Sequence, residues 1–361
     1  MQRREWMLCA AGAFCARAGE AADDSLSFPR DFGSHPQSRI EWWYATGWLT
    51  ADDEPDDAAP RHGFQITFFR SRTDLAASNP SRFAARELVF AHAAVSDLAG
   101  RRLRHDQRIA RSGFDIAQAA LDDARVRLRD WQLARTGPAD ASRYAVRAAS
   151  EAGGFGFELQ LQTTQPVLLQ GEAGLSRKGP NPAQTSRYYS QPQLAVRGTL
   201  RLDGRAQAVR GRAWLDHEWS DALLDPRAVG WDWIGINLAS GAALTAFRVR
   251  RADTTALHAG GSWREAGAAT ARNFGSDEVV LRPGRVWTSA ATRAVYPVEW
   301  DIATPAGRYR VRALLDAQEL DSRPSTGAVY WEGLSELLDE RGARLGLGYL
   351  EMTGYVAPLR L

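Results

Sequence analysis

Lysine is almost missing from this chain. Of 45 basic residues only Lys178 is a lysine. A Schiff-base mechanism therefore has one candidate nucleophile, and a lysine-rich phosphate site is excluded. Cysteine is nearly as scarce. The two cysteines, Cys9 and Cys15, both lie near the N-terminus, and a chain cleaved after them has no thiol or disulfide chemistry. No apolar run approaches the roughly 18 residues of a membrane-spanning helix. Nor is one sign of charge in excess. With 45 basic and 43 acidic residues the net charge is +2, which gives no electrostatic case for a nucleic-acid partner. Several enzyme signatures are absent too. There is no G-x-S-x-G nucleophile elbow, no glycine-rich dinucleotide fingerprint and no phosphate loop. His217-Glu218 is followed at the metalloprotease spacing by Asp221, not histidine, and a lone His-Glu pair is too few ligands for a metal. No metal and no cofactor is expected.

What is present is tryptophan, 13 residues of it in a chain of 361, and a steady rhythm of short strands. Alternating runs such as 64–68, 125–128 and 157–161 are separated by Gly, Asp and Pro turn signals every 8–12 residues or so. No segment holds a 3.6-residue period. Residues 84–88 and 221–224 are the best short helix candidates, and 51–59 reads as an acidic hairpin loop. The stretch 176–189, punctuated by Pro and Gly, reads as a long loop suited to a lid or an inter-domain contact.

An internal repeat sets the domain count. A Trp strand (Trp43 to Leu49), a Phe-Arg-x-Arg strand (Phe69 to Arg72) and a His-Ala strand (His92 to Ser96) recur as Trp233 to Leu238, Phe247 to Arg250 and His258 to Ser262. The fold expected is all-β, as two related β-barrel domains joined near 221–230. A barrel of about eight strands can hold one elongated apolar ligand in its interior.

The N-terminus has the layout of a secretory signal peptide. Arg3-Arg4 precede an apolar stretch from Trp6, and Ala16-Arg17-Ala18 gives a small-x-small cleavage pattern. The Arg pair permits twin-arginine export. Residues 1–18 are therefore expected to be a signal peptide, the location periplasmic or secreted, and the domains to span 27–222 and 228–361.

Four clusters carry candidate chemistry. In the first, His35 precedes Glu41-Trp42-Trp43-Tyr44. Strand alternation puts Glu41 and Trp43 on one face, Trp42 and Tyr44 on the other. Glu41 then either acts as an acid whose pKa is raised among aromatics, or caps a loop amide while Trp43 packs. In the second, Asp216 and Glu218 share a face opposite Leu215, His217 and Trp219. This reads either as an acid/base site with Asp216 or His217 as proton carrier, or as a polar network at the domain seam. In the third, Trp231 and Trp233 share a face, opposed by Asp232. Their rings suit an extended π system or a cationic intermediate, or simply a core. In the fourth, Tyr349 and Glu351 share a face near Tyr330-Trp331-Glu332-Gly333, as a held proton donor or a solvated strand end.

The run from Phe28 to Pro36 followed by Glu41-Trp42-Trp43-Tyr44 resembles the opening of the carotenoid 1,2-hydratase and AttH-like family, whose members are often labelled secreted hydrolases. Gly171 to Gly179 with Tyr188-Tyr189-Ser190, Trp214 to Trp219, Gly230 to Ile234, Tyr330 to Gly333 and Gly348 to Gly354 extend the resemblance over nearly all of the chain after residue 27. It implies two lipocalin-like (calycin) domains and an apolar ligand, a carotenoid or lipid. It also implies one of two activities. Some relatives add water to a terminal C=C of an acyclic carotenoid. The AttH branch looks like an exported companion of an ABC transport system, which makes a non-catalytic lipid carrier the alternative. If the chain is an enzyme, Asp216 or Glu41 is the expected acid, with Glu218 beside it and His217 as proton partner. Trp42, Trp43, Trp231, Trp233, Tyr349, Glu351 and His35 are the expected ligand contacts. The chain differs from the hydratase pattern at Tyr349-Leu350-Glu351, which has Glu for Asp, and at Tyr296 to Trp300, which lacks a His.

Overall fold

The computed structural model describes residues 25–359 apart from 56, 57, 74–78, 80, 82 and 223. The proposed signal peptide at 1–18 lies outside the described residues. The chain is all-β. Among the described residues the helical segments are one 3-10 turn, Arg30–Phe32, and one short helix, Arg323–Thr326.

Two large antiparallel sheets follow one another along the sequence. The first falls within residues 40–220 and has 13 strands. Its order from one edge begins Arg102–Arg111, Glu87–Asp97, His62–Arg72, Ile40–Ala51. It continues through Arg205–Ser220 and Thr185–Leu202 to a meander ending at Ala117–Ala119. The edges curl toward each other. Arg108 of the first edge strand lies 4.4 Å over the Trp131 ring and pairs with Asp130 near the other edge. The sheet is thus nearly closed into a barrel, which removes most of its exposed edge. The second sheet has 10 strands and lies within residues 228–353.

The sequence repeat is a repeat of topology. Each sheet contains a three-strand meander, Ile40–Ala51 to Glu87–Asp97 in one and Ala228–Leu238 to Ala256–Arg264 in the other. In each, the first meander strand also pairs with the last long strand of its sheet, Arg205–Ser220 or Arg344–Thr353. The Arg of each Phe-Arg-x-Arg motif faces an acid of the neighbouring strand: Arg70 opposes Glu41, and Arg248 opposes Asp232. Both pairs are buried, and both Nε–carboxylate distances are 2.7 Å.

Alternation then assigns the two faces of these strands. One face fills a sheet's own core. Trp43, Phe64, Trp131 and Phe157 pack inside the first, and Tyr296, Trp300, Trp331 and Met352 inside the second. The opposite face packs one sheet against the other, through Tyr44, Trp214, Trp233, Phe247, Leu334 and Tyr349. At about 25 cal/mol per Å² of apolar area, these large aromatic side chains make the seam a core in its own right.

Three local expectations are corrected. Residues 84–88 are not helical, because Glu87 and Leu88 pair with Arg72 and Ser71 as strand; cross-strand pairing overrides local propensity. Residues 221, 222 and 224 are bend or coil, and 223 lies outside the described residues. The stretch 176–189 is a hairpin rather than one long loop, with Arg177 paired to Thr185 and a turn over 178–184.

Candidate functional site

A cavity of about 280 Å³ lies between the two sheets. The interiors of the two sheets, by contrast, hold the large side chains named above. Trp42, Tyr44, Phe69, Phe90 and Tyr188 from the first sheet line the cavity, with Trp231, Trp233, Phe247 and Tyr330 from the second. Its ionisable side chains besides the tyrosines are Glu41, Arg70, His92, Lys178, Asp216, Glu218, Glu332 and Glu351. That is the usual composition of a small-molecule site.

Glu332 and Glu351 stand directly opposite each other on antiparallel strands. Residues opposed in this way project to the same face. Gln65 donates to Glu332 Oε2 at 2.5 Å. Burial first, then the charge of Glu351, pushes the Glu332 carboxyl well above its usual range. Burial also raises Glu351, with Asp216 and Glu218 adding to it and a hydrogen bond from Trp231 opposing. Two facing carboxyls in an apolar cavity cannot both be ionised near neutral pH, so the pair retains a proton.

Asp216 forms a second centre. It accepts hydrogen bonds from Tyr188 Oη (2.8 Å), Ser190 Oγ (2.5 Å) and Trp214 Nε1 (2.7 Å). Burial outweighs these donors and lifts its pKa to about 7. Tyr188 Oη in turn accepts from Trp233 Nε1 at 3.2 Å. Glu218, on the same face, is 2.9 Å from Lys178 Nζ. His92 Nδ1 and Tyr330 Oη are 2.9 Å apart, and burial holds the His92 pKa down at about 3, so this imidazole is neutral.

The cavity thus gathers Trp42, Asp216, Glu218, Trp231, Trp233 and Glu351 from the expected set. Tyr349 is buried in the seam beside Trp233 and Leu334. Glu41 also borders the cavity, while His35, His217 and Trp43 are not among its walls. Their side chains turn to the opposite face of the first sheet. Glu41 is fully buried, accepts the His35 backbone N–H at 2.9 Å and lies 2.8 Å from both His35 Nδ1 and His217 Nε2. Arg70 Nε donates to it at 2.7 Å. Burial works to raise its pKa, but the His217 and His35 hydrogen bonds overcome that and hold it below the carboxylate range. Glu41 is therefore an ionised structural anchor, not a protonated acid, and the loop-amide capping reading fits it. His217 is stacked on Trp43 at 4.6 Å, and burial lowers its pKa. It cannot pass a proton to Asp216, which alternation puts on the other face. His35 and Trp43 do not line this cavity.

His35, Glu41 and His217 are the donor types of a cation site, with ligand atoms within 4.8 Å of one another. Their contacts at 2.8 Å are hydrogen-bond distances, shorter than the ~3.3 Å between ligand atoms around a tetrahedral zinc. The Arg70 guanidinium already occupies the same carboxylate. The cluster is a hydrogen-bonded network.

The cavity also contains Tyr44, Tyr330 and Glu332, which stand in the candidate clusters but not among the expected acids and ligand contacts, and Tyr188, His92 and Lys178, which no cluster included. One signal was available. Tyr330 and Glu332 alternate on one strand as Tyr349 and Glu351 do on another.

The AttH-like family matches the chain over residues 20–355. No curated protein sequence matches it. Among solved structures, an AttH from Nitrosomonas europaea is 45% identical, with a TM-score of 0.83 over 93% of this chain and 98% of that one. Kievitone hydratase from Nectria haematococca is 15% identical, with a TM-score of 0.67 over 94% of this chain and 95% of that one. A third structure, CghA with Sch210972, is 12% identical, with a TM-score of 0.52 over 88% and 89%. The two distant structures share the fold, and on the match over nearly its whole length the chain belongs to the AttH-like family.

Proposed function

We propose that this chain is a hydratase that binds an apolar, unsaturated molecule between its two sheets and adds water across a C=C bond. The observation that carries this reading is the facing pair Glu332 and Glu351, which keeps a proton in a cavity walled by aromatic rings. The pair donates that proton to one alkene carbon. The developing positive charge on the other carbon meets the faces of Trp231 and Trp233, whose quadrupoles attract cations. Water bonds to that carbon and passes a proton through Tyr188 Oη to Asp216, which returns it to the pair by way of solvent. The hydratase named among the distant structures supports the reaction class by likeness of fold only.

A volume near 280 Å³ is at the small end of ligand sites. It encloses a compact isoprenoid, or the reacting end of a long one such as an acyclic carotenoid. The proposal keeps the periplasmic or secreted location read from residues 1–18. Fractionation and N-terminal sequencing of the processed chain test that part.

The chemical test is incubation with lycopene, neurosporene and shorter acyclic isoprenoids in ¹⁸O-water. A product heavier by one labelled water, reduced roughly a hundredfold or more in Glu351→Gln, is the expected result. No product from any of them, with an intact lipid co-purifying by mass spectrometry, overturns the hydratase reading in favour of a carrier, the form an ABC transport companion would take.

A further inference from the structure

The only lysine of the chain stands in the cavity wall. Lys178 sits at the start of the 178–184 turn, and that turn is tightly built. Its backbone N–H donates to Gln184 O at 2.8 Å. A Cβ on Gly179 would come within 2.1 Å of the Gln184 side-chain oxygen, so the chain hugs Gln184 there. Gln184 Nε2 donates to Asp225, which Arg227 holds in turn. The turn is therefore tied to the segment that joins the two sheets.

This scaffold delivers the ammonium to one place. Nζ is 2.9 Å from Glu218, 4.6 Å from the centre of the Tyr188 ring and 4.7 Å from that of Phe247. The side chain is only 10% exposed. An ammonium has three N–H donors. Nζ pairs in charge with Glu218 without a hydrogen bond to its Oε1, and its other neighbours are ring faces, weaker partners than an oxygen acceptor. The other cation along the cavity, Arg70, is committed elsewhere. It donates to Glu41, Glu87 and the carbonyls of His35 and Ser38.

We propose that Lys178 is a specificity residue that donates a hydrogen bond to a neutral carbonyl oxygen at one end of the ligand. Charge decides the chemical class. A second anion at Nζ would lie beside Glu218 and close to Asp216, and like charges there cost binding. A cationic group would meet the ammonium itself. A ketone, aldehyde or ester oxygen accepts from Nζ without disturbing the ion pair, while the apolar body lies on Trp231, Trp233 and Phe247.

The inference rests on the hydratase reading and narrows its substrate class. If the carbonyl is conjugated with the C=C, its hydrogen bond to Lys178 draws electrons from the double bond. Water then forms a C–O bond at the β-carbon and gives up a proton through Tyr188 Oη to Asp216, the π bond breaks, and the α-carbon takes the proton held by the Glu332–Glu351 pair. No other reactant is needed.

The test is binding of matched probes, a C13 and a C20 isoprenoid ketone against the hydrocarbons with CH₂ in place of C=O and the corresponding carboxylates. Affinity is read by quenching of tryptophan fluorescence, and the ¹³C-labelled carbonyl stretch by infrared difference spectroscopy. Wild type should bind the ketones at least tenfold tighter than the hydrocarbons and lower the stretch frequency. Both effects should vanish in Lys178→Met/Glu218→Gln, which removes the ion pair without leaving a lone buried charge, while the hydrocarbons bind as before. Equal affinities for both pairs, an unmoved carbonyl stretch, or tightest binding of the carboxylates overturns the proposal. Hydration of hydrocarbon alkenes without a ketone preference overturns it and leaves the hydratase reading standing. A ketone preference without turnover does the reverse.

Discussion

Glu332 and Glu351 face each other across two antiparallel strands, in register, with both carboxyls in one aromatic cavity. Their pKa values are raised above that of an ordinary glutamate, so in this region the folded chain holds protons that the unfolded chain has released. Where the folded state binds more protons, stability falls as pH rises. The loss begins near the unfolded value of 4.5 and continues upward through the raised values of the pair. Glu332→Gln removes one member and its repulsion. Urea unfolding at pH 5 and pH 8 should show a smaller drop in stability across that range for the variant, with the variant the more stable at pH 8. A wild-type-like drop would show that the two groups do not share a proton.

Glu41 behaves in the opposite sense. Its folded pKa is held below 4.5, so its contribution to stability is present above pH 4.5 and lost as pH falls below that value. Glu41→Gln leaves Arg70 buried without its main counter-charge, and breaking such a pair costs about 3–5 kcal/mol. Asp232→Asn should act similarly in the second sheet through Arg248 and Arg250, which lie 2.7 and 3.5 Å from Asp232. Denaturation of Glu41→Gln should show that loss at pH 7 and a flatter acid limb below pH 4.5. Its ligand affinity should change little where the chain remains folded, since the Glu41 carboxylate is bound by His35, His217 and Arg70. A selective loss of binding with normal stability would contradict that placement.

Much of this arrangement was legible in the strand alternation. It separates Asp216 and Glu218 from His217, and Trp42 and Tyr44 from Glu41 and Trp43. Alternation does not say which face is the barrel interior, because here both faces are aromatic and both are buried. Glu41 borders the same cavity as Trp231 and Trp233, but its carboxylate is engaged by His35, His217 and Arg70. The register that sets Glu332 against Glu351 is equally hidden, since it depends on a pairing between two strands and not on either one. The same holds for Lys178. Its scarcity was plain, but its meaning came from a turn that brings residue 178 over Tyr188 and Phe247. At residues 84–88 a helix-favouring composition lost to pairing with the neighbouring strand, a competition no local window contains.

The close approach of the two sheets makes Gly63 a sensitive position. A Cβ there would come within 2.6 Å of the Tyr349 hydroxyl and 3.0 Å of Leu334 Cβ. Gly63 belongs to the first sheet, and both neighbours belong to the second. Gly63→Ala should therefore push the sheets apart at the seam, at a cost of about 1–3 kcal/mol for overpacking. Thermal unfolding gives the stability change, and probe binding shows the accompanying loosening of the cavity. An unchanged melting temperature would show that the seam yields freely.

Asp216 and the carboxyl pair together predict the pH dependence of the proposed hydration. As the group that takes the proton from attacking water, Asp216 must be ionised, and its pKa is about 7. kcat/KM should therefore rise as pH increases through about 7. The Glu332–Glu351 pair must keep its shared proton, so the rate falls again at higher pH, where the pair loses it. The result is a bell whose two limbs report apparent values of the free protein. Asp216→Asn keeps a group of similar shape beside Tyr188, Ser190 and Trp214 but cannot take a proton. It should lower kcat/KM roughly a hundredfold or more and abolish the lower limb. Glu332→Gln should lower the pH of the upper limb, because Glu351 no longer feels a neighbouring charge. Persistence of the lower limb in Asp216→Asn would assign it to another group and remove Asp216 from the reaction. If the limbs exchanged their responses to the two substitutions, the direction of proton transfer proposed here would be reversed, with Asp216 the donor and the glutamate pair the acceptor.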